Sequence, residues 1–433
     1  MKIVNRIPFL VCSILSCLIT SCEDYLDIEA PNSKITSEIV FNNDETAKSV
    51  MKGIYHQLFN SPFSSGGPAS ITVIAGLSGD IVAPIRPTNF TYVEFDQHEI
   101  LPENDRNLGL WSSAYNIVYM CNSLLEGLED SQGISEEVNQ QLRGEALFVR
   151  SFTYFYMINL YGDVPLILST DYKINAIAPK EPKENIYEQI IVDLQTSTEL
   201  LMPGFVDGER TNVNQNTAIA LLARIKLYDE NWEEAESLSS QVISQSDTYE
   251  ILENLDEVFL ANSKEAIWQL TPAGSGGVLT NTNEGAGFLI HPFLSFLANL
   301  KIEPAFVKSL DTIDLRLQNW IGFNSGLEVY YANKYKIRST TEPITEYSMV
   351  MRLAEQYLIR AEARFKIGDI PGAIADLNKI RNRAGLEPVI ENGDDLFNND
   401  LLDLIMEERK RELFAEWGHR WLDLKRTGTA EEI

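Results

Sequence analysis

Cysteine, histidine and basic side chains are scarce in these 433 residues, and each shortage removes a class of function. Of the four cysteines, Cys12, Cys17 and Cys22 lie within the first 22 residues, and only Cys121 lies in the body of the chain. A disulfide framework or a cysteine-ligated zinc site needs several cysteines spread through the fold, so both are excluded. The four histidines (His56, His98, His291, His419) are scattered, with no H-E-x-x-H, no G-x-S-x-G elbow and no phosphate loop. Lys and Arg number 35 against 63 Asp and Glu, a formal net charge of −28. A nucleic-acid binder needs basic surface to release counterions from phosphates, so nucleic acid is rejected as a partner. What the chain does have is 44% hydrophobic residues, enough for a large core and against global disorder.

Residues 1–21 read as a lipoprotein signal peptide. Lys2 and Arg6 form a positive start, and the apolar stretch Ile7–Leu15 falls short of the ~20 residues of a membrane span. Small Ser21 before Cys22 has the pattern of a bacterial lipobox, in which the cysteine thiol is acylated, with palmitate or a similar chain, and becomes the first residue. Cleavage also removes Lys2 and Arg6, making the mature chain more acidic still. Glu23 and Asp24 follow the lipidation site. No later segment is apolar enough to span a bilayer, so the expected state is anchored, not embedded.

Beyond the signal, helical periodicity dominates in blocks: Asn43–Phe59, Leu110–Leu128, Val138–Leu160, Asn185–Leu201 and Asn216–Tyr228. The third stops at Tyr161-Gly162-Asp163-Val164-Pro165, a Gly/Pro terminator. Two segments follow the logic of a tetratricopeptide helix pair. Ala223 is followed by Asn231-Trp232 and Ala235, and at the same spacing Ala361 is followed by Asp369-Ile370 and Ala373. Small alanines let helices approach, and Asn or Asp caps the second helix. The copies lie far apart, so they form no tandem array. Residues 60–106 and 271–345 read as long irregular regions rich in Gly, Pro and aromatic residues, and that aromatic content points to ordered, functional loops.

Taken together, these features resemble the SusD/RagB family of Bacteroidetes outer-membrane lipoproteins. The mature start Cys22-Glu23-Asp24-Tyr25-Leu26-Asp27 is similar to the family's, as is Trp111-Ser112-Ser113-Ala114-Tyr115 with Cys121-Asn122. The most specific match is Arg143-Gly144-Glu145-Ala146 through Arg150, with Phe155 and Tyr161–Pro165. Arg352-Leu353-Ala354-Glu355 with Ala361-Glu362-Ala363 and Leu377–Arg381 matches a late helix pair. Glu408–Leu413 with Gly418–Leu424 resembles the closing signature. Family members continue into a Pro-rich tail, whereas this sequence stops at Gly428–Ile433, leaving open a truncated record or a missing tail.

The resemblance implies a mostly α fold: tetratricopeptide-like helix pairs in a single SusD-like domain with long irregular insertions and little β structure. That domain covers 22–433: an N-terminal part (22–200) with a ligand-loop region (60–106), a first helix pair (201–270), a loop-rich insertion (271–345), and a second pair with the signature helix (346–433). It further implies a surface lipoprotein of the outer membrane that captures glycans (an oligosaccharide or polysaccharide) or other oligomeric nutrients for a SusC-like TonB-dependent transporter.

Residue chemistry points to binding, without catalytic residues, metal or cofactor. Glu407, Glu408 and Glu412 lie along one helix, where i,i+3 and i,i+4 charges pair, not across a cleft as acid/base catalysis requires. Trp417 and Trp421 are expected to pack on earlier helices, and Arg143, Glu145 and Arg150 to anchor ion pairs between helices. Cys121 reads as an inert packing residue. Sugars stack their C–H faces on flat rings while hydroxyls bond polar neighbours. The candidate ligand residues are therefore Trp320 with Arg316, Asn324 and Tyr330, and a second cluster of Phe90, Tyr92, Asn89 and Asp96. The rival readings are a protein-interaction scaffold and, less favoured, a surface polysaccharide hydrolase.

Overall fold

The computed structural model describes residues 40–272, 281–390 and 398–433; the expected signal peptide, Cys22 and the Gly274–Gly277 run lie outside them. Helix accounts for 55% and strand for 8%, so the fold is mostly α with tetratricopeptide-like character.

The N-terminal half runs α1 (Asp44–Asn60), α2 (Ile71–Leu77), β1 (Val82–Pro84), α3 (Phe90–Asp96), α4 (Asp105–Glu129), α5 (Glu136–Tyr161), α6 (Tyr172–Asn175) and α7 (Lys183–Leu200). Local chemistry sets these ends. The Asn43 side chain accepts the Thr46 N–H at 3.0 Å, with Asp44 and Glu45 in the first turn facing the positive helix end. The Asn104 side chain likewise accepts from the Arg106 and Asn107 amides, starting α4 five residues before the periodicity does. Gly162, at φ 75°, stops α5 where a side chain would be strained.

The first helix pair is α8 (Gln215–Tyr228) and α9 (Trp232–Ile243), followed by β2 (Ala266–Leu270). The insertion carries α10 (Asn283–Phe288), β3 (Leu300–Ile302), α11 (Pro304–Ser309), α12 (Leu315–Asn319), β4 (Ile321–Asn324) and β5 (Val329–Ala332). After β6 (Ser348–Arg352) come the second pair, α13 (Leu353–Ile367) and α14 (Ile370–Arg383), then α15 (Asn398–Glu412) and α16 (His419–Arg426). Asn231 and Asp369 cap the second helix of each pair through the Glu234 and Gly372 amides. The pairs, distant in sequence, meet in space: Ala223, Leu227 and Ala235 pack with Ile359 and Ala363 in one apolar cluster. The insertion leaves through β2 and returns through β6, which pair antiparallel and hold its two ends together. Arg224 and Glu355 add a buried two-pronged ion pair between α8 and α13 (2.6 and 2.5 Å).

The expectation that 60–106 and 271–345 are loops is corrected. They hold short helices and a four-stranded antiparallel sheet of order β1-β3-β5-β4, which joins one region to the other. The main core is aromatic: Phe152 meets Tyr156, Trp268 and Trp417 edge-on at 5.0–5.3 Å. Trp417 thus packs as expected. Cys121 is fully buried on α4, and burial pushes its thiol up to about 12, an unreactive state.

The charges of α15 pair, but not along the helix. Arg409 bonds Asp423 on α16 (2.9 Å), and Glu408 and Glu412 both reach Arg316 (2.6 and 3.1 Å). Glu412 also meets Arg352 (2.5 Å) and Arg383, while Glu265 accepts from both of those arginines. Glu416 accepts from Arg352 and Lys334, and Asp314 from Arg316. Among the described residues only Arg411 keeps an along-helix partner in α15, Glu407 at 3.7 Å. Of the other expected anchors, Arg150 does pair with Asp193 on α7. Glu145 instead bonds Tyr55 and Gln141, and Arg143 is half-buried without an ion pair among the described residues.

Two buried acids make a pH prediction. Burial pushes Glu145 up to about 7, and burial with the Glu416 and Glu346 charges pushes Glu284 up to about 7. The folded state therefore holds protons that the unfolded chain releases near ~4.3, and stability falls as pH rises between those values. His419, lowered to about 4 by burial, acts with the opposite sign, but only below its unfolded value of ~6.5. The melting temperature is expected to drop between pH 6 and 8. Glu284→Gln should shrink that drop, and parallel wild-type and variant curves would refute a protonated Glu284.

Candidate functional site

The structure separates the eight sequence-predicted ligand residues. Trp320 is corrected: it ends α12 fully buried, donates its indole N–H to the Leu255 carbonyl (3.1 Å), and covers the ion network, with Lys334 Nζ 4.6 Å from its ring. Arg316 is corrected with it, because all its polar reach goes to Asp314, Glu408 and Glu412. Asn324 shapes the β4–β5 turn by accepting the Leu327 N–H (2.9 Å). Tyr330 pairs across that hairpin with Phe323, ring centroids 5.0 Å apart, in a row Ile302–Tyr330–Phe323 that runs from core to solvent. Of the second cluster, Phe90 is 69% exposed, whereas Asn89 accepts from the Thr91 hydroxyl and Asp96 is half-buried. Tyr92 is buried, and it lines a cavity.

That cavity, about 200 Å³, lies where the two aromatic-rich regions meet. Pro68, Val73 and Tyr92 form one wall; the other comes from 286–300, with Arg338. Tyr92 is fixed in place. Its hydroxyl donates to the Pro68 carbonyl (2.9 Å), and the Arg106 guanidinium sits 4.2 Å from its ring while bonding the same carbonyl (3.0 Å). His291 Nδ1 accepts the Phe293 and Leu294 amides (3.1 Å each), so in the neutral ring Nε2 carries the proton. The Arg338 Nε–H is buried and meets no acceptor among the described residues. The segment that lends Leu294 and Leu297 to the wall also carries Phe293, 89% exposed, and Phe296, 58% exposed.

The site thus combines a rigid ring, a guanidinium with a free donor, a histidine donor and outward-facing phenylalanines. Among the described residues its wall holds no pair of facing carboxylates. Behind it, Glu284 on α10 presses so close to Gly66 (φ 71°) that a Cβ there would lie 2.1 Å from the carboxyl carbon, so only glycine fits. Sequence reasoning missed His291, Phe293, Phe296 and Arg338. The available signal was Pro292-Phe293-Leu294-Ser295-Phe296-Leu297, a run too apolar for an ordinary exposed loop.

Residues 306–433 match the family described as the SusD family, and residues 24–227 match one described as starch-binding and associating with the outer membrane. The chain belongs to the SusD/RagB family. A SusD-like protein of Formosa agariphila is 25% identical over all of this chain and 91% of its own length. The starch-binding protein SusD of Bacteroides thetaiotaomicron is 24% identical over 70% of this chain and 67% of its own. Among solved structures, a SusD-like carbohydrate binding protein from Bacteroides vulgatus superposes with a TM-score of 0.73 at 24% identity, covering 89% of this chain and 84% of that one. The SusD fold therefore extends across the described residues, with the cavity on the seam between its N-terminal part and its insertion.

Proposed function

We propose that this SusD-family protein is a non-catalytic glycan-binding lipoprotein of the outer membrane. On this reading, residues 1–21 are removed, Cys22 carries the lipid, the domain faces outward, and captured oligosaccharides pass to a SusC-like TonB-dependent transporter. The observation that carries the binding step is the cavity between Tyr92 and Arg338. A sugar edge there meets a histidine ring fixed by two backbone amides, an arginine with an unpartnered Nε–H and, alongside, exposed rings for its C–H faces. The family's starch-binding description and the names of its relatives supply the ligand class. The protein's acidity suits neutral glycans and disfavours polyanionic ones.

Affinity electrophoresis of the protein through gels containing individual neutral and acidic polysaccharides tests the reading. Retardation by at least one neutral polysaccharide, without release of shorter products, is expected. No saturable ligand across the panel would overturn it, and product release abolished by one carboxylate substitution would favour a hydrolase.

A further inference from the structure

A second cavity, also about 200 Å³, lies between α2, α3 and α16. Tyr92 on α3 lines the first cavity, whereas Phe95 lines this one with Ile74, Leu160 and Ile100. Its frame is rigid. Asp80, in the turn before β1, bonds Arg420 on α16 (2.7 Å) and Lys410 on α15 (2.9 Å). His98 stacks on Trp421 with centroids 5.2 Å apart and planes 20° from parallel. Tyr161 is held edge-on by Trp111 at 5.0 Å and donates its hydroxyl to Asn107 Oδ1 (2.8 Å).

The polar atoms in this wall are few and defined. Because Tyr161 occupies Asn107 Oδ1, the Asn107 amide N–H₂ is the free end, and it donates to nothing among the described residues. The Trp421 indole N–H is unpartnered in the same way. His98 Nε2 lies 2.9 Å from the Ser78 carbonyl and so must donate, leaving Nδ1 as an acceptor in the neutral ring. Among the described residues no lysine, arginine or carboxylate lines the cavity; Lys425, 5.9 Å above the Trp421 ring, bonds the Asn159 and Leu160 carbonyls.

We propose that this second cavity binds a flat, neutral aryl group bearing an acceptor oxygen. Its volume is below the ~300–1,000 Å³ of drug-sized sites and admits one ring. A hexose brings hydroxyls on every edge, more than Asn107, Trp421 and His98 can satisfy, and those turned to the apolar walls would go unpartnered. An aryl ring instead fills the space between Phe95, Tyr161 and the aliphatic walls, and its oxygen takes the Asn107 or Trp421 donor. Phenolic esters and aromatic amino-acid groups share this chemistry.

Calorimetric titration of the whole chain tests the assignment with three probes: methyl ferulate, N-acetyltyrosinamide and methyl β-glucoside. Saturable binding of either aryl probe is expected, and the tighter of the two names the source. Leu160→Trp fills the cavity from a half-buried position and should weaken aryl binding at least about tenfold with an unchanged melting temperature. If that variant is destabilised, Ile100→Ser at the exposed rim is the substitute, with a smaller loss expected. Arg338→Ala in the first cavity should leave aryl binding intact. The proposal fails if neither aryl probe binds, if both cavity variants bind like wild type, or if the glucoside binds and Leu160→Trp abolishes that binding.

Discussion

Glu412→Gln is expected to lower folding stability by about 3–5 kcal/mol, the scale for removing one partner from a buried ion pair. Its carboxylate is fully buried, and burial alone would keep it protonated. The Arg383, Arg352 and Arg316 guanidiniums outweigh burial and hold it well below the usual carboxylate range. Removing that charge leaves Arg383 with Glu265, Arg352 with Glu265 and Glu416, and Arg316 with Glu408 and Asp314, so three buried guanidiniums share a smaller negative charge. The glutamine amide can still accept hydrogen bonds, so a large loss would report on charge, not on lost packing. Glu407→Gln is the control. It removes a half-exposed partner 3.7 Å from Arg411, and exposed pairs contribute about 0–1 kcal/mol. Urea denaturation midpoints at pH 7 decide between them. Similar small shifts for the two variants would mean that the network's charges are already compensated by other contacts.

The sign of the acid dependence follows. A carboxyl held low in the folded state contributes stability above its unfolded value, about 4.3 for Glu and about 3.9 for Asp, and loses it as pH falls toward the folded value. Glu412 and Asp423 both belong to this class, Asp423 because Arg409 and Arg426 outweigh its burial. Acid unfolding should therefore begin below about pH 4.3, and the Glu412→Gln curve should be flatter there.

The same network explains where sequence reading reached its limit. Long helices were legible because apolar spacing repeats over many turns, as in α5 and α7, and the two tetratricopeptide pairs because Ala223/Ala235 and Ala361/Ala373 keep one spacing. Neither the adjacency of the pairs nor the sheet was legible: β1, β3 and β5 are three or four residues long and draw on both aromatic-rich regions. Trp320 misled for a definable reason. Its polar neighbours Asn319 and Asn324 belong to a helix end and a strand end, while the groups that bury it, Leu255, Lys334 and Arg383, come from other elements. Arg338 was invisible because an unpartnered guanidinium is a property of its surroundings, not of its sequence context.

Arg338→Ala carries the largest expected effect on ligand binding. A hydrogen bond to a charged group contributes about 1.5–3 kcal/mol, so losing the guanidinium should weaken binding of a retarding glycan roughly 10- to 100-fold. Arg338→Lys keeps the charge but not the planar fork, and should recover only part of the loss. Neither change should lower the melting temperature, because Arg338 forms no ion pair among the described residues and its Nε–H is already unpartnered. That separates binding from folding, which Trp320→Ala could not do, since Trp320 seals the ion network. Phe90→Ala supplies the contrast: Phe90 is exposed on α3 but absent from the cavity wall, and its loss should leave affinity within about threefold. Affinity electrophoresis of the three variants on one polysaccharide reads both effects together. Unchanged retention by Arg338→Ala with loss in Phe90→Ala would move the ligand out of the cavity and onto the outer face of α3.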